Sequence, residues 1–220
     1  MAGPKSFFLS PAVHEYIVAH GAPPDDVQRD LIEETAALPM AMMQIAPEQG
    51  VFMTLLARLI GARQAIEVGT FTGYSALSIA RGLSDDGHLL CCDVSEEWTS
   101  IARRALERAG LASKIELRLA PAVDTLRALP DDEYLDLGFI DADKPSYPIY
   151  YEEILRRLRP NGVILVDNTL WGGDVVANSG DAASDDTTAI RAFNDAVAAD
   201  ARVDCALLTL GDGLTLLRKR

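Results

Sequence analysis

From Gln64 onward, short apolar runs alternate with stretches whose apolar residues recur at helical spacing. The runs at 65–68, 88–92, 114–119, 135–140 and 163–166 read as strands, and the segments 74–83, 96–109, 122–128 and 147–158 read as helices. The first 62 residues carry no such runs. They read as three helices, at 11–20, 25–38 and 47–60. Asp25 and Asp26 follow the Pro23-Pro24 pair and form an N-cap signal for the second. In the third, Val51, Leu55 and Leu59, with Phe52 and Leu56 beside them, repeat at helical spacing and predict one buried face.

The chain ends differently. A helix at 186–199 precedes two runs, 206–210 and 214–218, joined through Gly211-Asp212-Gly213, whose turn chemistry predicts a hairpin. Strand–helix alternation with short links gives a parallel sheet covered on both faces by helices. The expected fold is therefore α/β: a Rossmann-like, doubly wound, seven-stranded sheet with a reversed C-terminal edge strand, preceded by N-terminal helices. We expect one domain over 1–220, with a helical cap at 1–62 and a Rossmann-like core at 63–220.

Composition narrows the class. Hydrophobic residues make up 49% and charged residues 24%, as in ordinary globular chains. No window reaches the roughly 20 apolar residues of a membrane span, and the Phe7-Phe8-Leu9 run is too short for a signal-peptide core. A cytoplasmic protein is expected, with no membrane partner. The net charge of −13 argues against nucleic acid, whose phosphates call for clustered Lys and Arg. Cys91, Cys92 and Cys205 fall in no metal-binding spacing, and the first two lie in an apolar run as buried thiols would.

In a doubly wound sheet, ligands bind outside the carboxyl ends of the strands. Here those ends are acidic: Glu67 before Gly69, then Asp93, Asp141, and Asp167 with Asn168. Four acidic strand ends on one rim point to a site. The segment from Glu67 to Ser75 has Gly69 and Gly73 flanking a strand-to-helix turn, where backbone can approach a ligand. The dinucleotide fingerprint is absent, because position 71 is Phe. Glu67 suits a cationic or amino-bearing ligand better than a pyrophosphate, and Asp93 can accept hydrogen bonds from ribose hydroxyls. Asp141, Asp167 and Asn168 end strands expected to be adjacent. Two carboxylates and an amide are hard oxygen donors for Mg²⁺, Ca²⁺ or Mn²⁺. Lys144, one short turn beyond Asp141 and partly desolvated, is placed to act as a general base.

These stretches resemble the class I methyltransferases of the caffeoyl-CoA O-methyltransferase type, related to catechol O-methyltransferase. The resemblance rests on Glu67 through Ser75, Phe139-Ile140-Asp141-Ala142-Asp143-Lys144, Val166-Asp167-Asn168-Thr169-Leu170-Trp171 and Leu210-Gly211-Asp212-Gly213. Met43 through Gly50 and Lys5-Ser6 match in the N-terminal region. The resemblance implies that S-adenosylmethionine is held by Ile45, Glu67, Gly69, Thr70, Ser75, Asp93, Ala122 and Asp141. It implies a divalent cation on Asp141, Asp167 and Asn168, with Mg²⁺ foremost. Lys144 is implied as the base, with Asp141 in the catalytic set, and Lys5, Met43 and Trp171 as substrate-side positions. A homodimer is implied too.

The expected chemistry is methyl transfer to one hydroxyl of a catechol-like or caffeoyl-type aromatic acceptor chelated to the cation. The chain departs from the plant enzymes in a shorter stretch between Gly180 and Asp186 and in Gly172 after Trp171, both on the substrate side. A natural-product acceptor therefore stays open. So do two rivals on the same fold, a nicotinamide-dependent oxidoreductase and a non-catalytic S-adenosylmethionine-binding protein.

Overall fold

The computed structural model describes residues 9–21, 23–176 and 184–220. Strands β1 (Gln64–Val68), β2 (His88–Asp93), β3 (Ile115–Leu119), β4 (Leu135–Ile140), β5 (Leu158–Val166), β6 (Val203–Leu208) and β7 (Leu214–Lys219) form one sheet in the order β3-β2-β1-β4-β5-β7-β6. The first five run parallel; β7 pairs antiparallel with both β5 and β6. The reversed C-terminal strand is thus present, one place in from the edge that β6 occupies. β6 starts earlier than its apolar run, because Val203 through Leu208 pair with Lys219 through Leu214 and the connection lengthens to residues 209–213.

Alternate residues of each inner strand feed two cores, as the period of two requires. Ala65, Leu89, Cys91, Leu137, Phe139, Val163 and Leu165 face one side with helices α2 (Asp26–Ala36), α3 (Pro47–Leu59), α4 (Tyr74–Gly82) and α5 (Glu96–Arg108). Ile66, Val68, Leu90, Cys92, Ile140, Ile164 and Val166 face the other with α6 (Ala122–Arg127), α7 (Tyr147–Arg157) and α8 (Asp185–Ala199). Burial on both faces explains why the strands read as continuous apolar runs. Cys91 and Cys92 are buried in the two cores, whereas Cys205 is exposed on β6. Among the described residues no helix is long and apolar enough to cross a membrane.

The N-terminal helices form as the sequence predicts. Asp25 caps α2, accepting from the Gln28 backbone while the Gln28 side chain accepts from Asp25 in return. α1 (Pro11–Gly21) buries none of its residues fully and meets α3 through His14 and Glu48 at 3.2 Å.

The buried face of α3 corrects the sequence expectation. Gln49, Gly50, Met53 and Ala57 turn inward, while Leu55 is 52% and Leu59 82% exposed. Phe52 and Leu56 flank the core. α3 lies so close to α4 that a Cβ on Gly50 would stand 2.6 Å from Ser78 Oγ, and one on Gly82 2.6 Å from Ala57 Cβ. Only small residues fit that contact, so the leucine stripe faces outward.

Candidate active site

The order of the strands reverses between β1 and β4, which is where such sheets open a ligand crevice. Backbone pairing continues one residue past the strand ends: Gly69 N donates to Cys92 O at 2.9 Å, Asp141 N to Val68 O at 2.8 Å and Asp167 N to Ile140 O at 3.0 Å. The acidic residues are thereby set side by side along the carboxyl rim. At Gly69 (φ 92) a Cβ would lie 1.9 Å from Asp141 O, so this crossing admits only glycine.

On the β1 side, Glu67 is wholly buried and neither carboxylate oxygen has a formed hydrogen bond among the described residues. Burial raises its pKa to about 7; the nearby Ser75 and Thr70 hydroxyls and the Cys91 thiol oppose the rise, and Asp141 adds to it. An acid left in that condition is costly unless something with positive or donor character meets it. Ser75 and Thr70 are buried in the same turn, and the Thr70 hydroxyl is likewise without a partner.

Asp93 has a role the sequence did not disclose. Its Oδ2 accepts from the backbone of Thr70 at 2.9 Å and Phe71 at 2.8 Å, and its Oδ1 from Val94 at 2.7 Å and Ser95 at 2.8 Å. It clasps the loop after β1 to the loop after β2, so a ribose there would share oxygens already in use. Ala122 begins α6, half-buried, beyond β3. Ile45 is buried in the core with α3 and α4, whereas Met43 is exposed. Lys5 and residues 180–183 of the shorter segment lie outside the described residues.

On the β4–β5 side, three oxygen-bearing side chains meet an ammonium. Lys144 Nζ, in a residue 7% exposed, donates to Asp141 Oδ1 at 3.2 Å, Asn168 Oδ1 at 2.6 Å and Tyr147 Oη at 2.6 Å. It lies 5.5 Å from the centre of the Trp171 ring, which brings that substrate-side candidate to the candidate base. Asp167 is buried, accepting from Gln49 Nε2 at 2.8 Å through Oδ2 and from Asn168 N at 2.7 Å through Oδ1. Burial, reinforced by the Asp141 charge, raises its pKa to about 7; Gln49, Asn168 and Lys144 oppose this.

Lys144 thus pairs with Asp141 while Asp167 accepts from Gln49 and the Asn168 backbone, and this donor set fits a hard divalent cation, which would relieve the repulsion between the two carboxylates. Among the described residues no three His, Cys, Asp or Glu side chains converge as a metal site; the Asn168 amide oxygen is a further oxygen donor beside Asp141, both within reach of Lys144 Nζ. Asn168 (φ 57), Trp171 (φ 46) and Phe71 (φ 50) are three of the four non-glycine residues in left-handed backbone among those described. All three stand on the rim loops, where such conformations commonly mark a functional site.

Three residues at this site escaped the sequence reading. Gln49 was legible only as the first turn of a helix. Tyr147, three residues after Lys144, carried a spacing signal that could have found it. Asp212, read as turn chemistry, accepts from Gly172 N at 2.6 Å, while Leu170 N and Thr169 N donate to the backbone of Asp212 and Gly213 at 3.1 and 3.0 Å. The turn between β6 and β7 therefore clamps the loop that carries Trp171.

Comparison with known proteins agrees with this architecture. The sequence pattern of the O-methyltransferase family matches residues 19–220. Caffeoyl-CoA O-methyltransferase 5 of Nicotiana tabacum is 37% identical over 99% of this chain and 95% of its own length. Tricin synthase 2 of Oryza sativa subsp. japonica is 37% identical over 98% of this chain and 77% of its own. The structure of an O-methyltransferase from Bacillus cereus in complex with SAH superposes with a TM-score of 0.86 at 34% identity, covering 95% of this chain and 97% of that one. The chain belongs to the O-methyltransferase family and is an S-adenosylmethionine-dependent O-methyltransferase of the caffeoyl-CoA type. That sets aside the nicotinamide-dependent alternative.

Proposed function

We propose that this enzyme methylates one hydroxyl of a catechol-like or caffeoyl-type aromatic acceptor, with a divalent cation, Mg²⁺ foremost, held by Asp141, Asp167 and Asn168. The observation that carries the reading is Lys144 Nζ seated 2.6 Å from Asn168 Oδ1 and 3.2 Å from Asp141 Oδ1, beside a buried Asp167 that makes no ion pair among the described residues. When bound, such a cation supplies a fixed positive charge that lowers the pKa of an acceptor hydroxyl beside it.

The chain's own residues do the rest. Lys144 Nζ is the base for the acceptor hydroxyl proton, and Tyr147 Oη holds that nitrogen in place. Asp141 stands between the base and the donor side of the rim, since its main chain packs against Gly69. S-adenosylmethionine supplies the methyl group. Glu67, with its unpartnered carboxylate, receives the donor's positively charged portion, and Gly69, Thr70 and Ser75 line the turn above it. Asp93 takes the ribose, while Ala122 and Ile45 complete the cofactor wall. Trp171 gives the aromatic acceptor a face to lie against, and Met43 and Lys5 belong to the substrate side. Holding oxygen and methyl carbon in line can supply about 7–11 kcal/mol of the acceleration.

We further read 1–220 as one domain and the protein as a cytoplasmic homodimer, for which the outward-facing Leu55 and Leu59 offer apolar surface. Sedimentation of the full chain tests the dimer. The function is tested by methyl transfer to catechol, caffeoyl-CoA and flavonoid acceptors with Mg²⁺ or with EDTA, the product's regiochemistry being read by mass spectrometry and NMR. A vicinal diol methylated only with Mg²⁺ is the expected result; undiminished turnover in EDTA by metal-free protein overturns the cation.

A further inference from the structure

Resting on the cation site proposed above, we infer that Gln49 is a positioning residue for it: its amide, wedged between Asp167 and Gly211, fixes the Asp167 carboxylate and ties the N-terminal helices to the rim. Asp167 is buried, and its two oxygens are fixed differently. Oδ1 accepts from the next backbone N–H, a strictly local bond, whereas Oδ2 accepts from Gln49 Nε2 at 2.8 Å across 118 residues of chain. Lys144 gives its hydrogen bonds to Asp141, Asn168 and Tyr147.

The chemistry of the donor matters. A guanidinium or ammonium in this place would neutralise the carboxylate and compete with a cation for it. An amide orients the oxygen and leaves its charge available. Carboxylate ligands are commonly aimed by such outer partners, and losing one typically weakens metal binding about 10–100-fold.

Two glycines make the wedge possible. A Cβ on Gly211 would lie 2.4 Å from Gln49 Oε1, so any side chain there would displace the amide. Gly50, the next residue, seats the helix directly against Ser78 and Tyr74 of α4. Gln49 itself is 1% exposed, and its reach is set by that packing.

The test is Mn²⁺ titration of the full chain, with free Mn²⁺ followed by electron paramagnetic resonance. Wild type is compared with Gln49→Met, which keeps the length but loses the donor, with Gln49→Asn, whose amide falls one methylene short, and with Asp167→Ala. S-adenosylmethionine affinity is measured in parallel without metal. Both Gln49 variants should bind Mn²⁺ about tenfold more weakly while S-adenosylmethionine affinity stays within twofold. Wild-type Mn²⁺ affinity in either folded variant overturns the inference, as does an equal loss for both ligands, which would mark general distortion. If the Met variant does not fold, the Asn variant decides. Mn²⁺ binding lost in Asp167→Ala but kept in the Gln49 variants removes this inference alone. Absence of Mn²⁺ binding in wild type removes the cation site with it.

Discussion

The side-chain nitrogen of Lys144 lies 2.6 Å from the side-chain oxygen of Asn168, across 24 residues of chain. That pair joins the loop after β4 to the loop after β5, and it puts the candidate base against a candidate cation ligand. The lysine is further fixed by Tyr147 and faces Trp171. Replacing it with methionine should keep most of the packing and remove the proton acceptor. We expect Lys144→Met to lower kcat by about 10²–10⁴ while S-adenosylmethionine affinity stays within twofold. Single-turnover methyl transfer and equilibrium binding check this, and a change in kcat under threefold would remove Lys144 from the mechanism.

Asp141→Ala and Asp167→Ala should each abolish turnover. EDTA should do the same to the wild type, and added Mg²⁺ should restore only the wild type. The measurement is product formation by mass spectrometry before chelation, after it, and after Mg²⁺ is returned. Recovery of either variant by Mg²⁺ would show that its carboxylate is dispensable.

Glu67 predicts a pH effect on the ligand-free protein. Burial lifts its pKa from 4.5 to about 7, so between those values the folded state holds a proton that the unfolded state has released. Stability conferred by the protonated acid is therefore lost as pH rises through that window, by about 3 kcal/mol from this group. Asp167, raised from 3.8 to about 7, adds a loss of the same sign. Glu67→Gln should flatten the fall in stability between pH 5 and pH 8 in urea titrations, and it should also weaken S-adenosylmethionine binding. Parallel pH profiles for variant and wild type would contradict the assignment.

Gly69→Ala confronts backbone rather than a mobile side chain, because its Cβ would fall 1.9 Å from Asp141 O at a φ of 92°. Left-handed strain and overpacking together should cost on the order of 3 kcal/mol. Urea denaturation measures the loss, and a shift below about 1 kcal/mol would mean that the strand ends can separate.

Trp171→Ala should raise KM for the aromatic acceptor and leave S-adenosylmethionine affinity within twofold, as expected for a residue on the acceptor side of Lys144. The loop itself should survive, since the Asp212 carboxylate and the backbone carbonyls of Asp212 and Gly213 accept from its backbone N–H groups. Equal changes in both affinities would count against a substrate-side role.

Much of this site could be read along the chain because it is built from strand ends. Asp93, Asp141 and Asp167 each directly follow an apolar run and Glu67 stands one residue inside the end of its own, and parallel pairing brings the ends of neighbouring strands together. The order of Glu67, Asp93, Asp141 and Asp167 along the rim then needs only the topology. The start of α2 was legible for a similar reason: Asp25, after the Pro23-Pro24 pair, is a local cap signal. Face and reach were not. The apolar stripe of α3 pointed to Leu55 and Leu59, but the close seat of Gly50 on α4 decided the inward face by volume.

The sequence by itself determined the elements, their alternation and which chemical groups end each strand, because periodicity and turn chemistry act over a few residues. The tertiary structure alone decided that Gln49 reaches Asp167, that Asp93 clasps the first glycine loop, and that the turn at 211–213 steadies Trp171. Those contacts depend on how closely helices and loops seat on the sheet. That distance is set by the combined volumes of residues far apart in the chain, so no local pattern encodes it.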